Sequence, residues 1–184
     1  MEAFIDVFGE ILQYSIPAIL VMIIVKYLND SQIKKQKLNE GFALKQEIIK
    51  THLPLKLAAY ERAILFLERI NPESLLMRIG TQNKNAAQLR EELVSEIKNE
   101  YEHNLVQQLY ISHTGWQAVN YAKDEMINII NLSFQEVGKE VKGLELGKII
   151  LTKCSGLKEL PTSKATFVLK SDILHLFSVD QKMR

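Results

Sequence analysis

Between Ile11 and Val25 the chain runs for fifteen residues without a charged side chain, and Tyr27 and Leu28 carry the apolar stretch past Lys26. As a helix, Ile11 to Leu28 would be roughly 27 Å long, close to the ~30 Å hydrocarbon thickness of a bilayer. The stem of Lys26 is long enough to bring its ammonium to the headgroups. Pro17 is tolerated within a spanning helix. Phe4, Ile5, Val7 and Phe8 can lengthen the span, with Asp6 and Glu10 at its outer interface. A secretory signal begins with basic residues and ends in a small-residue cleavage site, whereas this segment begins with Glu2, Asp6 and Glu10 and ends in VKYLND. The expectation is therefore a retained single-pass anchor. The flanking bases Lys26, Lys34, Lys35 and Lys37 all lie on its C-terminal side, which predicts an outer N-terminus and a cytoplasmic C-terminal part. The competing reading makes residues 4–28 the central helix of a soluble bundle, and it requires the rest of the chain to wrap that helix on every side.

An anchor of this length leaves enough of the 184 residues for one domain of ordinary size. All 23 Lys and Arg lie at or beyond Lys26, against 19 of the 22 Asp and Glu. The resulting mild excess of +4 is far from the dense basic surface that nucleic-acid binding requires, so no nucleic-acid partner is expected. A single cysteine, Cys154, supports neither an internal disulfide nor a cysteine-rich metal site, and a reducing cytoplasm suits this part of the chain.

Residues 29–52 are polar and Lys-rich, with only Gly41 opposing a helix. Ile33, Leu38, Phe42, Leu44, Ile48 and Ile49 do not sustain heptads, so the segment reads as a coiled-coil-like stalk or a packed or flexible connector rather than a long coiled coil. Pro54 at a first turn and Asn71-Pro72 as a stop frame a helix over 54–71, and a short helix closed by Gly80 follows. Leu89, Leu93, Ile97, Tyr101, Leu105 and Leu109 mark an amphipathic helix over 86–111. Trp116, Val119, Met126, Ile130, Phe134, Val137, Val141 and Leu144 mark a second over 115–142. The two are expected to form an antiparallel pair across the break SHTG. After Gly143 the reading divides between a small hairpin from KIILTK and ATFVLK and the favoured terminal helix over 163–177 with Ala165, Leu169, Ile173 and Leu176 inward. The expected fold class is all-α: a transmembrane helix over 1–28 including a short outer tail, a connector over 29–52, and a cytoplasmic helical bundle over 53–184.

Motifs for chemistry are weak. GLELGKI lacks the glycine spacing and the hydroxyl residue of a phosphate loop. SGLK has the serine–lysine spacing of some acyl enzymes without their companion motifs. His52, His103, His113 and His175 are scattered, with no metal-binding spacing, and no cofactor or metal is expected. Trp116 near a helix start reads as a core anchor.

The informative cluster lies within LPLKLAAYERAILFLERINP. Glu61 and Glu68 stand seven residues apart on one face, and Arg62 and Arg69 repeat that spacing on the next. In so apolar a helix these charges must reach water or find partners, because an unpaired buried charge costs several kcal/mol. Three readings follow. The first is an internal ion-pair network that sets helix register. The second is a groove formed by Tyr60, Glu61, Arg62, Glu68 and Arg69 that receives another subunit. The third is a membrane-face enzyme with Glu61 or Glu68 as acid or base and Tyr60 or Arg62 holding an anionic headgroup.

The block LPLKLAAYERAILFLERINPESLLMRI, behind an apolar span and a Lys-rich stalk, resembles an uncharacterised family of small single-pass membrane proteins from Gram-negative bacteria. The resemblance implies an inner-membrane anchor with a helical cytoplasmic domain, and it brings no activity, substrate or catalytic residue. The expected function is a non-enzymatic interaction or assembly subunit whose partners are the lipid bilayer and another protein or further copies of the chain.

Overall fold

In the computed structural model, which describes residues 2–181 and the side chains of 19–43, 46, 47 and 49–175, the chain is all-α, with no named strand among the described residues. Six helices follow in order: α1 (Glu2–Arg69), α2 (Pro72–Ile79), α3 (Ala86–Asn104), α4 (His113–Val137), α5 (Gly143–Ser155) and α6 (Pro161–Gln181). A 3-10 segment, Leu105–Leu109, lies between α3 and α4. Two units are separable, residues 1–52 and 53–184.

The first unit is helical from Glu2 onward. From Ile19 to Leu28 each large apolar side chain is more than half exposed, from 54% at Leu20 to 74% at Tyr27. Ile33, Leu38 and Phe42 beyond them are also exposed, on the same continuous helix. Among the described residues, no helix is long and apolar enough to cross a membrane. Residues 11–18 of the expected span, together with the interface residue Glu10, have side chains outside the described residues. Lys26, Lys34, Lys35 and Lys37 are exposed.

Pro54 does not open a helix as the sequence suggests, because α1 continues through it to Arg69. A proline inside a helix forfeits one i→i−4 bond. The following turns offset that loss by burying Ala59, Tyr60, Ala63, Phe66, Leu67 and Ile70, each at most 2% exposed. Asn71 then caps α2 by accepting the Glu73 N–H at 3.2 Å, with Pro72 in the first turn, where its missing N–H is harmless. Gly80, at φ +72°, closes α2 with its N–H on the Leu76 carbonyl.

A full capping box starts α3: Gln88 N–H donates to Asn85 Oδ1 at 2.8 Å, and Asn85 N–H donates to Gln88 Oε1 at 3.0 Å. Its predicted apolar stripe holds through Leu89, Leu93 and Ile97, all buried, and half-buried Tyr101, which packs against the core, and then fails. Tightening to 3-10 geometry changes the residues per turn from 3.6 to about 3, which turns Leu105 and Leu109 outward to 40% and 75% exposure.

The second long helix ends five residues before the predicted Lys142. Gly138 adopts φ +86° and donates to the Phe134 carbonyl, a cap that a side chain would strain. Val141 therefore lies in a connection, where its carbonyl accepts the Ala86 N–H at 2.7 Å, while Gly143 N–H donates to the Lys84 carbonyl at 2.8 Å. These bonds clip the 81–85 loop to the start of α5. The KIILTK segment is part of α5 and ATFVLK part of α6, so the hairpin alternative is corrected. Both segments bury one helical face, with Leu146, Ile150 and Cys154 on α5 and Ala165 and Leu169 on α6. Helix α4 is the centre of the bundle, packing against α3, α5 and α6, and the expected α3–α4 pair is present.

Candidate interaction surface

The five residues singled out in LPLKLAAYERAILFLERINP separate by face. Tyr60 is 2% exposed and points inward. Its hydroxyl accepts the Ser112 N–H at 3.1 Å and lies 3.5 Å from Asp172 Oδ2. The Ser112 hydroxyl donates to the same carboxylate oxygen and accepts the Gly115 N–H at 2.9 Å, which makes it the N-cap of α4. One half-buried polar node thus ties α1, the start of α4 and α6. Gly115 makes room for it: a Cβ there would stand 2.7 Å from Asp172 Oδ2 and 3.0 Å from Leu169 Cδ2.

Arg69 enters a different network. Its Nη2 lies 2.7 Å from Glu100 Oε1, an oxygen that also receives Arg78 Nη1 at 3.5 Å, while Arg78 Nη2 reaches Glu96 at 3.2 Å. Arg78 Nη2 also donates to the Arg69 carbonyl at 3.4 Å. The charges closing α1, on α2 and along α3 are therefore coupled.

Glu61, Arg62 and Glu68 remain on the outer face, exposed and without an ion-pair partner among the described residues. Between them stands Leu65, 57% exposed. Two contacts run α1 past the end of α3: the Phe66 and Tyr101 rings meet edge-on at 6.0 Å, and Arg69 meets Glu100. Tyr60 at Ser112 continues the same register. Residues 60–69 of α1 thus lie alongside residues 100–112, where Leu105, Val106 and Leu109 are exposed at 40%, 62% and 75%. Exposed leucines standing singly are ordinary on a protein surface.

Tyr101 holds this region together from below, stacked on Trp116 at 5.8 Å with Lys123 Nζ 4.3 Å from its ring centre. Trp116, 8% exposed, is part of the core. Another groove runs along α5 and α2, lined by Leu76, Met77, Leu144, Gly147 and Leu151. His52, His103 and His113 are exposed, and no group of three His, Cys, Asp or Glu that could hold a metal occurs among the described residues. Burial pushes the Cys154 thiol above its usual pKa, which keeps it protonated and unreactive.

Sequence reasoning paired Glu61 with Glu68 and Arg62 with Arg69 and missed Asp172, Ser112 and Glu100. The signal for Ser112 was present as a serine three residues before Gly115 at a helix start. Asp172 and Glu100 lie 112 and 31 positions from Tyr60 and Arg69, and local periodicity carries no information at such range.

No curated protein and no solved structure matches this chain. A family model does match, and it runs from Asp6 to Leu176, well beyond the 53–79 block. The chain belongs to the family of unknown function DUF7935.

Proposed function

We propose that this chain is a non-enzymatic interaction or assembly subunit, held at the bacterial inner membrane by residues 11–28 with its 53–184 unit in the cytoplasm. The exposure of Ile19–Leu28 on every side of α1 carries the reading. A helix that is apolar all round requires apolar surroundings, and nothing described in the chain covers it. Glu61 and Glu68, the carboxylates of the enzyme reading, stand on an open helix face, and the Tyr60 hydroxyl is held by Ser112 and Asp172. That arrangement favours a protein contact over headgroup chemistry.

The test is carbonate extraction of native membranes with protease protection of the C-terminal part, followed by crosslinking of the retained fraction. Retention with the 53–184 unit inaccessible from outside is expected, and release into the supernatant would defeat the anchor.

A further inference from the structure

We infer that Lys26, Lys34, Lys35 and Lys37 of α1 form a contact for the phosphate-bearing headgroups of anionic lipids, so that the anchor selects a negatively charged leaflet. All four side chains are exposed. Between Lys26 and Lys37 only Asp30 opposes them, and none of the four has an ion-pair partner among the described residues. Glu40, the next acid, accepts the Gln36 amide at 3.0 Å. An excess of three positive charges therefore follows directly on the exposed apolar run Ile19–Leu28. Lysines clustered at the end of a membrane segment attract anionic headgroups, because the leaflet surface carries the opposite potential.

Helical rise decides which lysines take part. Lys34, Lys35 and Lys37 stand roughly 9, 10 and 14 Å beyond Leu28 along the axis. The headgroup layer on one side of a bilayer is about 5–8 Å deep, and its charge is felt for about 8 Å further at physiological salt. All three ammonium groups fall within that reach, and Lys26 meets it from the end of the apolar run. Lys50 is also exposed but stands roughly 33 Å beyond Leu28, outside the field. The lysines are spread around the helix: at about 100° per residue Lys34 and Lys35 point to different sides, and Lys37 returns towards Lys26. Ile33 lies opposite Leu38 and Phe42, so the segment has no single apolar face on which to lie flat in the interface. A protein partner docks against one side of a helix, whereas headgroups surround it. This assignment rests on the anchor reading and names the class of lipid that the anchor takes.

The experiment places the full chain in lipid nanodiscs, either of phosphatidylcholine alone or of equal parts phosphatidylcholine and phosphatidylglycerol. Exposed lysines are acetylated with a water-soluble ester, and each site is followed by mass spectrometry. Acetylation of Lys34, Lys35 and Lys37 is expected to slow by about threefold or more in the charged discs, with Lys50 unchanged. High salt is expected to abolish the difference, because it shortens the reach of the surface charge. A second readout uses vesicles of the mixed lipids, from which the chain is extracted with its surrounding lipid by a solubilising polymer. Wild type is expected to carry phosphatidylglycerol enriched by about twofold over the bulk, and the combined variant Lys34→Gln, Lys35→Gln, Lys37→Gln to carry the bulk ratio. These side chains are exposed, so the variant should keep the wild-type far-ultraviolet circular dichroism.

Equal acetylation in the two kinds of disc, slowing at Lys50 as strong as at Lys37, or enrichment unchanged in the triple variant would each overturn the assignment. Protection of the lysines in native membranes with none in the charged discs overturns it in favour of an acidic protein partner. Release of the chain from carbonate-washed vesicles defeats the anchor and this contact with it, whereas retention without lipid selectivity defeats this contact alone.

Discussion

The guanidinium of Arg69 lies 2.7 Å from the carboxylate of Glu100, joining the last turn of α1 to α3, and Arg78 of α2 reaches the same oxygen. Glu100 is the most enclosed member, with its side chain 13% exposed against 44% for Arg69. Removing the shared acceptor should therefore matter more than removing either donor. Glu100→Gln is expected to cost about 1–2 kcal/mol and Arg69→Ala less than about 1 kcal/mol, measured by urea unfolding. Equal effects would show that the two arginines do not share one acceptor.

The Tyr60 hydroxyl is the acceptor for the Ser112 N–H at the start of α4. Tyr60→Phe leaves that N–H without its partner and should cost about 1–2 kcal/mol. Ser112→Ala removes the cap from α4 at a cost of about 1 kcal/mol. Because both act on one node, the double substitution should fall short of the sum, which a double-mutant cycle reads directly.

Two glycines should respond to alanine in opposite directions. A Cβ on Gly143 would sit 3.1 Å from the Lys84 carbonyl and 3.2 Å from that of Thr81, both backbone atoms that cannot turn aside. Gly143→Ala should destabilise the 53–184 unit by about 1–3 kcal/mol. Nothing lies within 4 Å of a Cβ on Gly41 in the exposed part of α1. There alanine should raise helix stability by about 1 kcal/mol, seen as a higher midpoint in the far-ultraviolet melt.

Cys154 should be silent to thiol reagents in the folded state. Desolvation raises its pKa, so the native thiol stays protonated at a pH where the unfolded thiol has already ionised. In that window the native state binds more protons than the unfolded state, and stability falls as pH rises. The stability is fully present below the ordinary thiol pKa and lost as pH climbs through the raised one. Unfolding free energy measured across the alkaline range should therefore decline more steeply in wild type than in Cys154→Ala. Maleimide labelling should proceed only at the rate of opening.

Helix content and much of the core were readable from local pattern. Leu89, Leu93 and Ile97 recur at helical spacing, Asn71-Pro72 and Gly80 bound α2, and Trp116 begins a buried stripe, because caps and periodicity act over a few residues. The departures have equally local causes that the pattern does not display. The 3-10 turn rotates Leu105 and Leu109 out of register, Gly138 stops α4 early, and core burial carries α1 through Pro54.

What the amino-acid sequence determined alone is the all-α class, the apolar N-terminal run and the alternation of charge on the 54–71 face. Only the tertiary structure decided which of those charges meet partners: Tyr60 turned to Ser112 and Asp172, Arg69 turned to Glu100, and Glu61, Arg62 and Glu68 left facing outward around Leu65. Helical spacing dictates which residues share a face. Which face is covered depends on segments distant in sequence, and their packing is set by the whole core at once.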